Sequence, residues 1–229
     1  MLSHIEHNLK TVLSNISSAV IESSRAPAGR VNLLAVSKTY PTEAILEAYK
    51  YGQRLFGENR IHELELKVPS LPNDIEWHFI GKLQSNKVSK AVELADYIHS
   101  VDSQKLVKRI DRIAGEQGKT PKIFLEVNIS GEESKSGLTL DQIEECAQIA
   151  SECKNIEFIG LMTMAPYDAD NSALKKIFAS LCQTRDKLQQ KFEIVLPELS
   201  MGMSSDYKIA IAEGATIVRI GTSIFEKRD

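Results

Sequence analysis

Long apolar runs are missing from this sequence, and so is any strong bias of charge. No stretch approaches the ~20 consecutive apolar residues that a membrane-spanning helix requires. The amino-terminal residues are polar, so neither a membrane segment nor a secretory signal is expected. Lys plus Arg number 28 against 31 Asp plus Glu, and a net charge of -3 argues against a binder of nucleic acid or anionic membranes. Cysteine is sparse: Cys146, Cys153 and Cys182 form an odd set with no metal-type spacing. Cys146 and Cys153 lie seven residues apart on one face of an expected helix, which suits buried, inert thiols. The expected compartment is therefore reducing, and the expected location cytoplasmic. His4 and His7 sit one helical turn apart without a third ligand, so no metal site is expected. Asp96, Asp102 and Asp111 make no paired-carboxylate pattern, and glycosidase-type chemistry has no support. Lys82, Lys87 and Lys90 read as a solvated helix face, with a phosphate or partner surface as the alternative.

What is present is a steady alternation. With 42% hydrophobic residues in 229, the chain can bury one sizeable core. Ile5, Leu9, Val12, Leu13, Ile16, Ala19 and Val20 recur at helical spacing, so residues 3–24 are expected to form a long amphipathic helix. Arg25 to Arg30 is a loop marked by Pro27 and Gly29. Strands are then expected near 33–37, 53–57, 74–81, 97–101, 122–128, 156–162, 198–201 and 216–221. Helical segments follow each of the first seven, and a glycine-containing loop covers 130–137. The pattern predicts an α/β fold, a single (β/α)₈ TIM barrel with an extra amino-terminal helix. Residues 1–229 would be one domain; an open doubly wound sheet is the alternative, since the second and seventh strands are weakly marked.

Two stretches carry chemistry. Leu33-Leu34-Ala35-Val36-Ser37-Lys38 is a short apolar run ending in one lysine, with Pro41 just beyond and Thr42 as a cap for the next helix. The carboxyl ends of barrel strands are where ligands sit. A lysine partly desolvated there favours its neutral, nucleophilic amine, the requirement for a Schiff base. The plain alternative is a surface lysine that ends a strand. The second stretch follows the last two strands: Ser204, Ser205, Gly221 and Thr222 supply hydroxyls and free N–H groups suited to a phosphate. Ser204-Ser205-Asp206 can equally be read as a cap for the helix that follows.

Ala35-Val36-Ser37-Lys38, Phe56-Gly57-Glu58-Asn59, Trp77-His78-Phe79-Ile80-Gly81 with Leu83-Gln84-Ser85-Asn86-Lys87, Gly160 to Met164, Leu199 to Ser204 and Val218 to Thr222 carry a resemblance. In order along nearly the whole chain, they resemble the pyridoxal phosphate homeostasis protein family, whose members are similar to the amino-terminal barrel of alanine racemase. The resemblance implies that Lys38 forms the internal aldimine with pyridoxal 5′-phosphate (PLP). It implies further that Ser204, Gly221 and Thr222 hold the phosphate, that Arg219 faces the pyridine nitrogen, and that Asn59 and Met162 line the ring. His78 belongs to the matching block with no contact assigned, and Ser205 is a variable position.

An aldehyde cofactor needs one amine, one anion pocket and one partner for its ring nitrogen, and these residues supply all three. Arginine cannot accept a proton. It therefore favours the unprotonated pyridine, a weaker electron sink. Racemisation also needs proton donors on both faces of the substrate carbon. The resemblance implies that the second donor belongs to a carboxyl-terminal domain for which this sequence has no residues. The expected function is thus PLP binding and homeostasis, buffering the cofactor or delivering it to PLP-dependent apo-enzymes, with no catalytic residue assigned. The alternative is a PLP-dependent amino-acid racemase of low activity. A monomer is expected, a weak dimer being the alternative.

Overall fold

The computed structural model describes residues 4–25, 31–132 and 136–225. The expected loop at 25–30 falls, from residue 26 on, outside the described residues, as does the middle of the loop at 130–137. The chain opens with helix α1 (His4–Glu22) and then alternates. The strands are β1 (Asn32–Val36), β2 (Leu55–Glu58), β3 (Glu76–Phe79), β4 (Tyr97–Val101), β5 (Lys122–Glu126), β6 (Glu157–Met162), β7 (Glu198–Ser200) and β8 (Ile217–Ile220). The helices between them are α2 (Thr42–Lys50), α3 (Ile61–Lys67), α4 (Val88–Leu94), α5 (Gln104–Gln117), α6 (Ile143–Glu152), α7 (Asn171–Phe192) and α8 (Tyr207–Ala212). A single turn, α9 (Thr222–Phe225), follows β8. The strands pair in parallel in chain order and β8 pairs with β1, so the sheet is a closed barrel and the open-sheet alternative is excluded. Among the described residues no helix is long and apolar enough to cross a membrane.

The strands form where apolar residues run nearly unbroken, because both faces of a parallel barrel strand are covered. The helices carry their own punctuation. Ser103 caps α5 by accepting from the Leu106 N–H at 3.3 Å, and Gly118 ends it in the left-handed region at φ 62°. Asp170 caps α7 by accepting from the Ala173 N–H at 2.7 Å. The expected cap at Thr42 is not made: Pro41 occupies the cap position without a side-chain bond, and Thr42 is the first helical residue.

Burial divides into two separate apolar clusters. The larger lies between the strands and the helices. The smaller contains Leu34, Phe124, Met162 and Ile217, edged by Leu55, Ile80, Tyr97 and Ile159. Its members come from strands all round the ring, so it fills the barrel interior. Each such side chain taken from water contributes roughly 1.5–3 kcal/mol. Helix α1 buries Ile5, Leu9, Val12 and Ile16 and lies against α2, α8 and α9, with Asn8 Nδ2 donating to Ile224 O at 3.1 Å. Of the thiols, Cys146 is buried on α6 and pushed up to about 12 by burial, while Cys153, just past that helix, is pushed up to about 11. Both are poor nucleophiles at neutral pH.

Candidate functional site

All seven expected site residues fall at the carboxyl ends of strands, on one mouth of the barrel: Lys38 after β1, Asn59 after β2, Met162 ending β6, Ser204 after β7, Arg219 in β8, and Gly221 and Thr222 after it. No hydrogen bond joins any two of them. The register sets Leu34 opposite Arg219 and Ala35 opposite Ile220, so Lys38 stands beyond the level of Gly221, at the rim.

Lys38 differs from expectation in one respect. The strand ends at Val36, and the buried position falls on Ser37, leaving Lys38 exposed. A turn causes this: the Tyr40 N–H donates to Ser37 O at 3.1 Å, and Thr39 sits at φ 68°. A β-branched residue is strained in the left-handed region, where glycine would be at ease. Among the described residues Lys38 has no hydrogen-bonding or ion-pair partner. Directly behind it lies a buried charged group. Lys67 Nζ donates to Ser37 O at 3.0 Å and pairs with Glu58 Oε1 at 2.8 Å and Glu63 Oε2 at 2.6 Å. Ser37 Oγ also donates to Glu58 Oε1, at 2.7 Å. Burial raises the Glu58 carboxyl above its usual range, against Lys67 and Ser37, and its Oε2 has no partner.

The neighbouring side of the mouth is organised around Arg219, which is buried next to the carboxyl end of β8. Its Nη1 donates to Ser200 Oγ at 2.7 Å and its Nη2 to Thr163 O at 2.9 Å. The Thr163 hydroxyl is itself tied to Val127 O at 2.7 Å. From Ser200 a string of bonds crosses the interior: Ser200 Oγ to His99 Nδ1 at 2.9 Å, and His99 Nε2 to His78 Nδ1 at 2.8 Å. His99 stacks on Phe124 and His78 on Tyr97, with ring centroids 4.1 and 4.0 Å apart. Burial and then Lys122 hold His78 down at about 3, and burial, His78 and Arg219 hold His99 well below its usual value. Both rings are neutral at physiological pH. Burial draws Arg219 down to about 10, against Asp206 and Glu126, and it remains a cation. Glu126, buried at the end of β5, is pushed up to about 7 by burial and Asp102, with Arg219 and Lys82 opposing.

The loops after β7 and β8 adjoin Arg219. Gly202 turns at φ +92°, and a Cβ there would lie 2.6 Å from Ala210 Cβ and 2.9 Å from Tyr207 Cα. Gly221 packs against β1, where a Cβ would come within 2.9 Å of Val36 O. Asp206 is at the cap position of α8, yet its carboxylate accepts from the Met203 N–H at 2.5 Å and makes no forward capping bond. Among the described residues, the N–H groups of Ser204, Ser205, Gly221, Thr222 and Ser223 have no partner. Ser204 is half-buried and Thr222 exposed. Two adjacent loops thus offer hydroxyls and unpaired N–H groups, the donor set of an anion pocket. Met162 is buried in the interior cluster, and its strand neighbour in register is Ser200. Asn59 is half-buried next to Glu58.

Ser37, Glu58, Lys67, His99, Thr163, Ser200 and Glu126 were not expected as site residues. A signal existed for some of them: Glu58, His99, Glu126 and Ser200 are polar residues embedded in apolar strand runs. Lys67 ends an ordinary helix and gives none.

Comparison with known proteins agrees with this architecture. The family model of the alanine racemase N-terminal domain matches residues 2–229. A pyridoxal phosphate homeostasis protein from Aquifex aeolicus is 40% identical over 221 residues, 96% of either chain. The solved structure of PipY from Synechococcus elongatus with PLP bound is 42% identical, with a TM-score of 0.85 over 96% of this chain and 99% of that one. An alanine racemase from Corynebacterium glutamicum, 14% identical, shares the fold alone, with a TM-score of 0.75 over 97% of this chain and 60% of the racemase.

Proposed function

The chain belongs to the alanine racemase N-terminal domain family and, within it, to the pyridoxal phosphate homeostasis proteins; on that premise we propose that it holds PLP as a Schiff base on Lys38 and buffers or delivers it to apo-enzymes. The observation that carries this reading is the contrast among three cations at one mouth. Lys67 has all three ammonium protons engaged and Arg219 is buried and pinned by two bonds, while Lys38 is exposed and, among the described residues, unpaired. A free amine is what reversible imine chemistry requires.

The donor set fits the cofactor. PLP supplies an aldehyde for reversible condensation with an amine, a phosphate dianion and a pyridine nitrogen. Lys38 presents the amine at the rim. The Ser204, Gly221 and Thr222 N–H groups and the two hydroxyls bind the dianion, which provides most of the grip. Arg219, with two of its N–H bonds pinned to Ser200 and Thr163, turns the rest of its donors toward the ring nitrogen and disfavours a proton there. Met162 and Asn59 flank the ring.

A second reading, an amino-acid racemase of low activity, is favoured by Glu126. Its carboxyl, pushed up to about 7, is a proton-exchanging group beside Arg219. An absorbance spectrum of the purified protein, taken with added L- or D-alanine and followed by a chiral assay, separates the two. Carrier function predicts a spectral change without inversion. Steady inversion that disappears in both Lys38→Ala and Glu126→Gln establishes the enzyme. If Lys38→Ala retains the cofactor absorbance band, another lysine carries the cofactor and the assignment fails.

A further inference from the structure

We propose that Lys67 and Glu58 are positioning residues for Lys38, holding the Ser37–Lys38 peptide so that the Lys38 amine stands ready for an aldehyde; this rests on the assignment of Lys38 above. Every polar group of Ser37 is engaged. Its N–H donates to Gly57 O at 3.0 Å, its hydroxyl to Glu58 at 2.7 Å, and its carbonyl accepts from both the Tyr40 N–H and Lys67 Nζ. Lys67 in turn uses all three ammonium protons, on Ser37 O, Glu58 and Glu63. The residue immediately before Lys38 is thus tied to β2 and to α3, while the Lys38 side chain is exposed and, among the described residues, has no hydrogen-bonding or ion-pair partner.

Two physical arguments make this more than packing. A buried ion pair adds little stability compared with apolar side chains of the same volume, so a buried Lys–Glu pair beside a free lysine calls for another role. Thr39 also holds a left-handed conformation that a β-branched residue leaves unless its neighbours over-determine it. The turn has only two ends to hold, the Ser37 carbonyl and the Tyr40 N–H. Lys67 fastens the first. Without it, Thr39 would relax to extended backbone and carry Lys38 away from the mouth.

The test compares PLP with 4′-deoxypyridoxine 5′-phosphate, which keeps ring and phosphate but has no aldehyde. Dissociation constants for both ligands are measured on the wild type, Lys67→Met, the charge-balanced double variant Glu58→Gln/Lys67→Met, and Lys38→Ala. Losing the clamp should weaken PLP at least tenfold in Lys67→Met and in the double variant, and leave the aldehyde-free ligand within twofold. Thr39→Gly in the double variant, which removes the strain, should restore most of the PLP affinity. Equal loss for both ligands, no loss for either, or no rescue by Thr39→Gly overturns the proposal. If instead Lys38→Ala binds PLP as well as the wild type does, the assignment of Lys38 itself fails, a result separate from any effect at Lys67.

Discussion

The two sides of the mouth hold a buried side-chain cation by opposite means. Behind Lys38, charge meets charge: Lys67 sits between Glu58 and Glu63. Around Arg219, the direct partners are neutral, a hydroxyl and a carbonyl, with two uncharged histidines behind the hydroxyl. The difference matches the role proposed for each cation. Lys67 can be saturated if, as proposed, it serves to hold Ser37. On the proposed assignment Arg219 keeps donors free for a ligand, and a directly bonded carboxylate would occupy them. Neutral acceptors orient the guanidinium without consuming it.

The comparison is broken most severely at Lys67. Lys67→Met should cost roughly 3–5 kcal/mol of folding stability, because two carboxylates lose their shared cation. Glu58→Gln/Lys67→Met should recover much of that loss in urea unfolding. Equal losses in the single and double variants would mean that charge is not what matters there.

On the neutral side, stability should depend on pH in two opposing ways. His78 is held at about 3, so between pH 6.5 and 3 the unfolded chain binds a proton that the folded one refuses, and stability falls as the pH drops. The slope is about 1.4 kcal/mol per pH unit for each such proton. Glu126, raised to about 7, acts the other way: its contribution is complete below pH 4.5 and is lost as the pH rises through 7. His78→Phe should flatten the acid limb of the stability–pH curve, and Glu126→Gln should steepen it between pH 4.5 and 6.5. An unchanged curve for His78→Phe would show that the ring takes up its proton as readily in the fold as in the unfolded chain.

Ser200→Ala removes one of the two pins on Arg219 and should cost about 1–2 kcal/mol in unfolding experiments, through an unpaired buried N–H. The effect should be smaller than at Lys67, since no net charge is stranded. An equal or larger loss would erase the distinction between the two sides. The smallest change is expected at Thr222→Val: cofactor retention should weaken by about 1–2 kcal/mol while folding stability stays as it was. No loss of retention would assign the anion pocket to backbone N–H groups alone.

Much of the fold is legible in the sequence because a barrel strand is an apolar run and a helix face has its own period. Even the weakly marked Leu55–Glu58 and Glu198–Ser200 are strands. The positions of Lys38, Arg219 and Gly221 on one mouth follow from their places at strand ends. What the sequence does not show is which residues meet across the ring. His99 and Ser200 are 101 residues apart and touch only because the register of intervening strands brings them level. Lys67 reaches Ser37 from a helix whose rotation about its axis is set by packing. The exposure of Lys38 depends on Thr39, a residue whose type argues against the conformation it adopts.

The pairing of β1 with β8 has a consequence for the order of assembly. Leu34 and Arg219 lie opposite each other in the sheet, so the lysine side and the arginine side of the mouth join only when the last strand closes the ring. Such non-local closure is slow relative to local helix formation, and synthesis proceeds from the amino terminus. A nascent chain that has made β1 to β7 therefore carries Lys38 but neither Arg219 nor the last loop of the proposed anion pocket. If the proposed site is the one used, tight cofactor capture has to wait for the finished barrel, and PLP present during refolding should stabilise the product without accelerating the early steps.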